Sequence, residues 1–235
     1  MDKKSQYLLF ALSAPMEVLN ECSLPSHSSP GMYSGIKRFD LESSWGIEKR
    51  DELLQTLNRM TDGGHATDLD GLYCRWFCFA PQEWQEYVDA LNERGRIYAR
   101  LVAETAMCCG EGGIRAWDYV RMGFLCRTGV LNQWLTEEES LWLQSRIQRR
   151  ALYYYSGWLQ YFTAYSVGRL YWQSSYGDNL PLLQETLARK EFDEAGRRMV
   201  SQLIAEKASF YATLPWCYLP HYPECPDTLK DVSDL

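Results

Sequence analysis

Apolar residues recur every three to four positions along most of this chain, and the gaps between those runs carry Gly, Pro, Ser and Asp. The run Tyr7–Ala14 ends at Pro15 and resumes at Met16–Leu19, which reads as a broken first helix. Residues 22–44, with Ser26-His27-Ser28-Ser29-Pro30-Gly31, read as loop. Between 46 and 60, Ile47, Leu54, Leu57 and Met60 share a helical face that Asp62-Gly63-Gly64 stops. Residues 66–80 offer Tyr73, Trp76, Phe77 and Phe79 without a clean period, so a short buried strand or a packed loop is expected there. Pro81 can open a helix through Leu91; Arg94-Gly95-Arg96 interrupts it before a helical stretch over 97–109.

Gly110, Gly112 and Gly113 mark a turn, and a helix follows from Ile114 to about Arg127, with Gly129 beyond its end. Thr136 followed by Glu139 is a capping box that opens a long helical stretch to about Trp172, bent at Ser156-Gly157. A turn over 174–179 and helices over 181–190 and 193–213 complete the periodic part. The four prolines between Pro215 and Pro226, with Trp216, Tyr218 and Tyr222, exclude a regular helix and imply an extended tail. The pattern therefore predicts an all-α fold. An N-terminal helix and loop (1–44) leads into one multi-helix globular core (45–213). An extended Pro/aromatic tail (214–235) packs on that core. No internal repeat or heptad array is visible.

At 235 residues the chain is long enough to bury a sizeable core. Nine tryptophans and sixteen tyrosines point to a core rich in aromatic rings rather than to an aromatic ligand cleft. A net charge of −7 argues against nonspecific binding to nucleic acid, which needs clustered Lys and Arg. The basic group Arg146…Arg149-Arg150 follows Glu137-Glu138-Glu139 on one helix, an order that suits the helix dipole and reads as a solvated face. Eight cysteines at irregular spacings in a chain of this size fit a reducing, cytoplasmic setting better than a disulfide framework. Lys3-Lys4 before eight apolar residues only weakly imitates a secretion signal, so a packed first helix is favoured. No segment approaches the ~20 apolar residues of a membrane span.

The charges placed inside apolar helical faces are the candidates for chemistry. Positions 114, 117, 118, 121, 124 and 125 share a face and read Ile, Trp, Asp, Arg, Phe, Leu. Positions 158, 162, 165, 169 and 172 read Trp, Phe, Tyr, Arg, Trp. A buried charge is costly unless paired, so Asp118 is expected to bond Arg169, with Arg121 or Arg115 competing, beside Trp117 and Trp172. As architecture this pair fixes how two helices dock. As chemistry it would give a pocket with a carboxylate and guanidinia for an anion.

Other constellations say less. Cys217-x3-His221-x3-Cys225 supplies only three ligands in a Pro-rich tail, so no metal is expected. Cys74, Cys78, Cys108 and Cys109 match no redox pair, and Gly110–Gly113 lacks the Lys-Ser/Thr of a nucleotide loop. The three histidines, His27, His65 and His221, all fall in loop-like sequence, with His65 after Gly63-Gly64 the nearest to a functional placement. No cofactor is implied.

Several of these motifs together resemble a bacterial family, domain of unknown function 1266. They are Trp45-Gly46-Ile47 with Arg50 and the Leu53/Leu54/Leu57 helix; Ala116-Trp117-Asp118-x-x-Arg121; Gly129 before Leu135-Thr136-x-Glu138-Glu139; Ser156-Gly157-Trp158; and Gly168-Arg169-x-x-Trp172. The resemblance covers about residues 45–172, and Leu214-Pro215-Trp216 extends it. It implies cytoplasmic helical proteins without an established activity, whose recurring Trp, Asp, Arg and Gly fit a helix-docking framework. The expectation for function is a non-enzymatic interaction or regulatory module of the immunity or adaptor type, acting on another protein through an acidic surface. The alternative is a small-molecule binder or enzyme with an Asp/Arg-lined cleft. Nothing in the chain indicates an oligomeric state.

Overall fold

A computed structural model describes residues 1–19, 38–175, 179–189, 194–205 and 210–232, and all that follows concerns these. They form helices and connecting loops, with no strand among the described residues. In order the helices are α1 (Lys3–Ala11), α2 (Ala14–Leu19), α3 (Glu42–Trp45), α4 (Arg50–Gly63), α5 (Thr67–Cys78), α6 (Pro81–Asp89) and α7 (Glu93–Cys109). Then come α8 (Arg115–Leu131), α9 (Glu137–Tyr154), α10 (Trp158–Ser175), α11 (Leu180–Arg189), α12 (Glu194–Val200) and α13 (Phe210–Thr213). A π-helical turn spans Ser201–Ala205 and a 3-10 turn Asp227–Val232.

Helix α8 is the axis of the fold. Thirteen of its 17 residues are buried, so it is enclosed all round rather than on one stripe. It packs against α10, α9, α4, α2 and α1. The approach to α10 is close: a Cβ on Gly168 would lie 2.3 Å from the Trp117 Cβ, so any larger residue would push the two backbones apart. Arg50 at the start of α4 grips Glu139 in the first turn of α9 through two short bonds, 2.6 and 2.9 Å, and also donates to the Trp134 carbonyl at 2.8 Å. Glu139 completes the capping box with Thr136, as the sequence pattern predicts.

Several boundaries differ from the sequence reading. Residues 66–80 are mostly helical, not strand or loop. Leu69, Leu72, Tyr73 and Trp76 form the i, i+3, i+4 stripe that meets the core, while intervening Asp, Gly and Cys mask the period. Helix α8 runs through Gly129 to Leu131, because the missing side chain lets Leu53 and Leu135 approach where a Cβ would stand 2.7 Å from the Leu53 Cδ2. The interruption expected at Arg94–Arg96 falls earlier, where Asn92 caps α7 by accepting from the Gly95 amide. At Tyr155–Gly157 the chain breaks outright into α9 and α10 instead of bending, and the Tyr155 hydroxyl accepts from the Ala116 amide at 2.8 Å. Helix α3 occupies the end of the segment expected as loop; residues 38–41 before it are loop as expected, with Phe39 exchanging bonds with Asn132, and 22–37 lie outside the described residues. The expected helix over 193–213 is described as α12, the π turn and α13, with 206–209 outside the described residues.

Residues 214–226 run without helix over α9 and α10. The Trp158 indole donates to the Leu214 carbonyl and the Trp216 indole to that of Tyr155, with the two rings edge-on at 4.6 Å. Gln148 donates to the Cys217 carbonyl and accepts from the Tyr222 hydroxyl, and Thr228 donates to Glu139 at 2.6 Å. No helix among the described residues is long and apolar enough to cross a membrane.

Candidate functional site

The site begins where α4 gives way to α5. A helix start leaves amides without intrahelical partners, and here Asp118, from the first turn of α8, fills the need. Its Oδ2 accepts from the Ala66 amide at 2.9 Å and its Oδ1 from the His65 amide at 3.2 Å. Gly64 lies flat against this carboxylate: a Cβ there would sit 2.4 Å from the Asp118 Cγ. Asp118 is 2% exposed. A carboxylate so placed also meets the positive end of its own helix.

One turn along α8, Arg121 lies between two indoles, 4.6 Å from the Trp45 ring and 4.8 Å from the Trp117 ring. Its Nη1 is 3.0 Å from His65 Nδ1 and 3.6 Å from Asp118 Oδ1. Burial lowers the Arg121 pKa, and the neighbouring Asp118 charge opposes that shift. Trp117 in turn stacks obliquely on Tyr165 at 5.3 Å and on Trp172 at 5.5 Å.

The structure therefore brings Asp118, Arg121, Trp117 and Trp172 into one cluster and adds His65 and Trp45. Arg169 stands half-buried on α10, one turn before Trp172, and no ion pair joins it to Asp118. The expected Asp118–Arg169 bond is replaced by the amides that start α5 and by Arg121. A reading that misses α5 cannot supply those amides. Sequence reasoning also passed over the most buried pair, Arg127 with Glu17, which carries two residues 1% exposed and the Ser13 hydroxyl as a further acceptor.

On its outer side Asp118 lines a polar cavity of about 120 Å³ with Asp62, Gly64, Thr67, Asp70, Arg115, Tyr119, Arg150 and Tyr154. Arg115 pairs with Asp70 at 2.5 Å and lies 4.5 Å above the Tyr154 ring; Arg150 is 3.7 Å from Asp62. Burial raises the Asp70 pKa against the pull of the Arg115 guanidinium. Next to this cavity, sharing Arg150 and Tyr154 with it, a shallow groove of about 350 Å³ runs along α9 between Arg146, Arg149, Arg150, Tyr153 and Tyr154. The basic group read as a solvated face is half-buried to exposed, and it borders this shallow open depression. Among the described residues no three His, Cys, Asp or Glu side chains converge as metal ligands, the Cys217, His221 and Cys225 trio included.

The profile of the family described as "Protein of unknown function (DUF1266)" matches residues 40–216. That span exceeds the motif region at both ends and takes in Trp216, which docks the tail. The chain is 63% identical to the uncharacterized protein YbeR of Escherichia coli K12, over 235 residues and the full length of both chains. It is 61% identical to the uncharacterized protein YbeU of the same strain over the same extent. No solved structure matches.

Proposed function

The chain belongs to the DUF1266 family, and on that premise we propose that it works in the cytoplasm as a non-enzymatic interaction module of the adaptor or immunity type. Its docking surface is the α9 groove, and its partner is an acidic segment of another protein. The observation that carries this reading is the groove itself. Arg146, Arg149 and Arg150 stand at i, i+3 and i+4 with Tyr153 and Tyr154 at one end. Arg and Tyr are the residue types that dominate binding hot spots. Tyr153 is 78% exposed and lies edge-on to Tyr154 at 4.9 Å, and Arg149 rests on the Tyr222 ring at 5.0 Å.

Charge complementarity favours an acidic partner. The chain carries a net charge of −7, so a local run of guanidinia is where an acidic segment is drawn in while the rest of the surface repels it. The acidic surface favoured by composition gives way here to the concave basic one. The family motif residues support a non-enzymatic reading because they are spent on one another: Arg50 on Glu139, Asp118 on α5, Arg121 between two indoles, Trp158 and Trp216 on the tail. Free thiols at Cys74, Cys78, Cys108, Cys109, Cys126, Cys217 and Cys225 agree with a reducing compartment.

The test is affinity capture from a native bacterial lysate with the full chain and with the charge-reversed variant R149E/R150E, read by quantitative mass spectrometry. Captured proteins should be acidic at their contact segments, should fall away as salt rises, and should be lost with the variant. Equal capture by both chains would remove the groove from the interaction.

A further inference from the structure

Helix α5 is apolar on two faces. The inner stripe of Leu69, Leu72, Tyr73 and Trp76 meets the core. The outer face carries Cys74, Phe77 and Cys78 at i, i+3 and i+4, all exposed, and Phe79 and Ala80 carry the apolar run on to Pro81. Phe77 is 42% exposed. A helix that only had to cover a core would present polar side chains on its outer side. From Gly71 to Pro81 the one charged side chain is Arg75. It is committed locally, donating to the Gly71 carbonyl at 2.8 Å and lying 4.9 Å from the Tyr87 ring.

Helix α6 widens the same surface. None of its residues is buried. It rests on α5 through edge-on rings, Trp76 with Trp84 at 5.1 Å and Phe79 with Tyr87 at 6.1 Å. Contiguous apolar side chains left in water mark a place where another molecule packs, and aromatic rings are the strongest anchors of such contacts.

Charge chooses the partner. The two helices carry Asp68, Asp70, Glu83, Glu86 and Asp89 against Arg75 alone. The next cations, Arg94 and Arg96, lie past the far end of α6, where Arg96 donates to the Asp89 carbonyl. Glu83, Glu86 and Asp89 are exposed, and the last two accept from the Gln82 and Gln85 side chains one turn back. At the other edge, the Cys78 pKa is raised first by the Cys74 thiol and also by the Glu111 charge. Rings rimmed by acids attract an apolar segment with basic flanks and repel an acidic one.

We propose that the outer face of α5 and α6 docks a helical segment of another protein, apolar on one side and flanked by Lys or Arg. This surface is separate from the α9 groove, whose guanidinia take the opposite kind of partner, and neither reading rests on the other.

The experiment titrates the full-length protein with a synthetic amphipathic helix of Leu and Lys, about 18 residues or roughly five turns long. One control has Glu in place of Lys; the other keeps the Leu/Lys composition but has no apolar face. Calorimetry measures affinity. The rates at which iodoacetamide alkylates Cys74 and Cys78, against exposed Cys217 as reference, locate the contact. The Leu/Lys helix should bind saturably and slow alkylation of Cys74 and Cys78 but not of Cys217. Both controls should bind at least about tenfold more weakly and protect neither thiol. F77S should melt close to the parent and bind the Leu/Lys helix about tenfold more weakly or worse. Equal protection by either control, no slowing at Cys74 and Cys78, or F77S binding as tightly as the parent each overturns the proposal. Sedimentation showing a dimer that F77S separates also overturns it, since a second copy would then cover the face. Thiol protection on the unaltered protein decides the matter even if F77S folds poorly.

Discussion

Arg127 and Arg149 belong to helices that touch, yet they live under opposite physical conditions. Arg127, 1% exposed, is held by Glu17 and Ser13 and lies over the Phe10 ring at 5.1 Å. Arg149 is exposed and rests on Tyr222. Burial lowers the Arg127 pKa, since taking a charge out of water is expensive. Glu17 and the Ser13 hydroxyl, fixed opposite, offset that cost. The comparison separates charges that decide how the chain folds from charges left to meet something else.

The largest expected effect comes from breaking the inner pair. R127M leaves the Glu17 charge buried without its guanidinium and should cost about 3–5 kcal/mol, measured by urea unfolding. The double variant E17L/R127M, which removes both charges, should recover most of that loss. If the single variant were as stable as the parent, the interior pair would not be organising the N-terminal helices on α8.

The Arg50–Glu139 joint is intermediate, and pH reads it. Burial pushes the Glu139 pKa up, but the bonds from Arg50 and Thr228 overcome this and hold it at about 2, against 4.5 for a free glutamate. A folded-state value below the unfolded one contributes stability that is fully present above pH 4.5 and is lost as pH falls toward 2. E139Q should therefore cost about 2–3 kcal/mol near neutral pH. Its stability curve should converge on that of the parent as the solution is acidified. Parallel curves across that range would show that Arg50 does not depend on the charge of Glu139.

A smaller effect is expected at the contact between α5 and Asp118. In G64A the added Cβ collides with the Asp118 carboxylate, 2.4 Å away at the Cγ, and overpacking of this kind costs about 1–3 kcal/mol. Because the carboxylate must move, hydrogen exchange at the Ala66 amide should quicken more than exchange in the middle of α9. Unchanged protection at Ala66 would mean that the carboxylate is not what fixes the start of α5.

How much of this was legible depends on where each signal is stored. The start of α9 was readable because Thr136 and Glu139 sit three residues apart and satisfy each other locally. The motif positions were readable too, since Trp117 and Arg121 stand at i, i+4 on one helix and Arg169 and Trp172 at i, i+3 on another. The partner of Asp118 was not, because backbone amides have no side-chain signature and α5 hides its stripe among Asp, Gly and Cys. Glu17 and Arg127 lie 110 positions apart; only the packed register of α2 on α8 brings them together. The α9 face of Arg146, Arg149, Arg150, Tyr153 and Tyr154 follows from helical spacing, whereas the packing of the tail residue Tyr222 against Arg149 was invisible.

The smallest expected effect tests the outer half of the comparison. R149E and Y153A should each change stability by no more than about 0.5–1 kcal/mol. Exposed substitutions sit in that range, and an exposed cation–ring contact such as Arg149 on Tyr222 adds little. The same substitutions should remove the salt-sensitive capture of an acidic partner. A side chain that matters to binding and not to folding is what distinguishes a surface kept for a partner from one that only keeps the helix in water. If R149E instead destabilised the fold as R127M is expected to, the basic stretch of α9 would belong with the interior pairs, holding the tail residue Tyr222 in place. Melting temperature and capture therefore have to be measured on the same protein preparations, because only their divergence assigns Arg149 to the outer set.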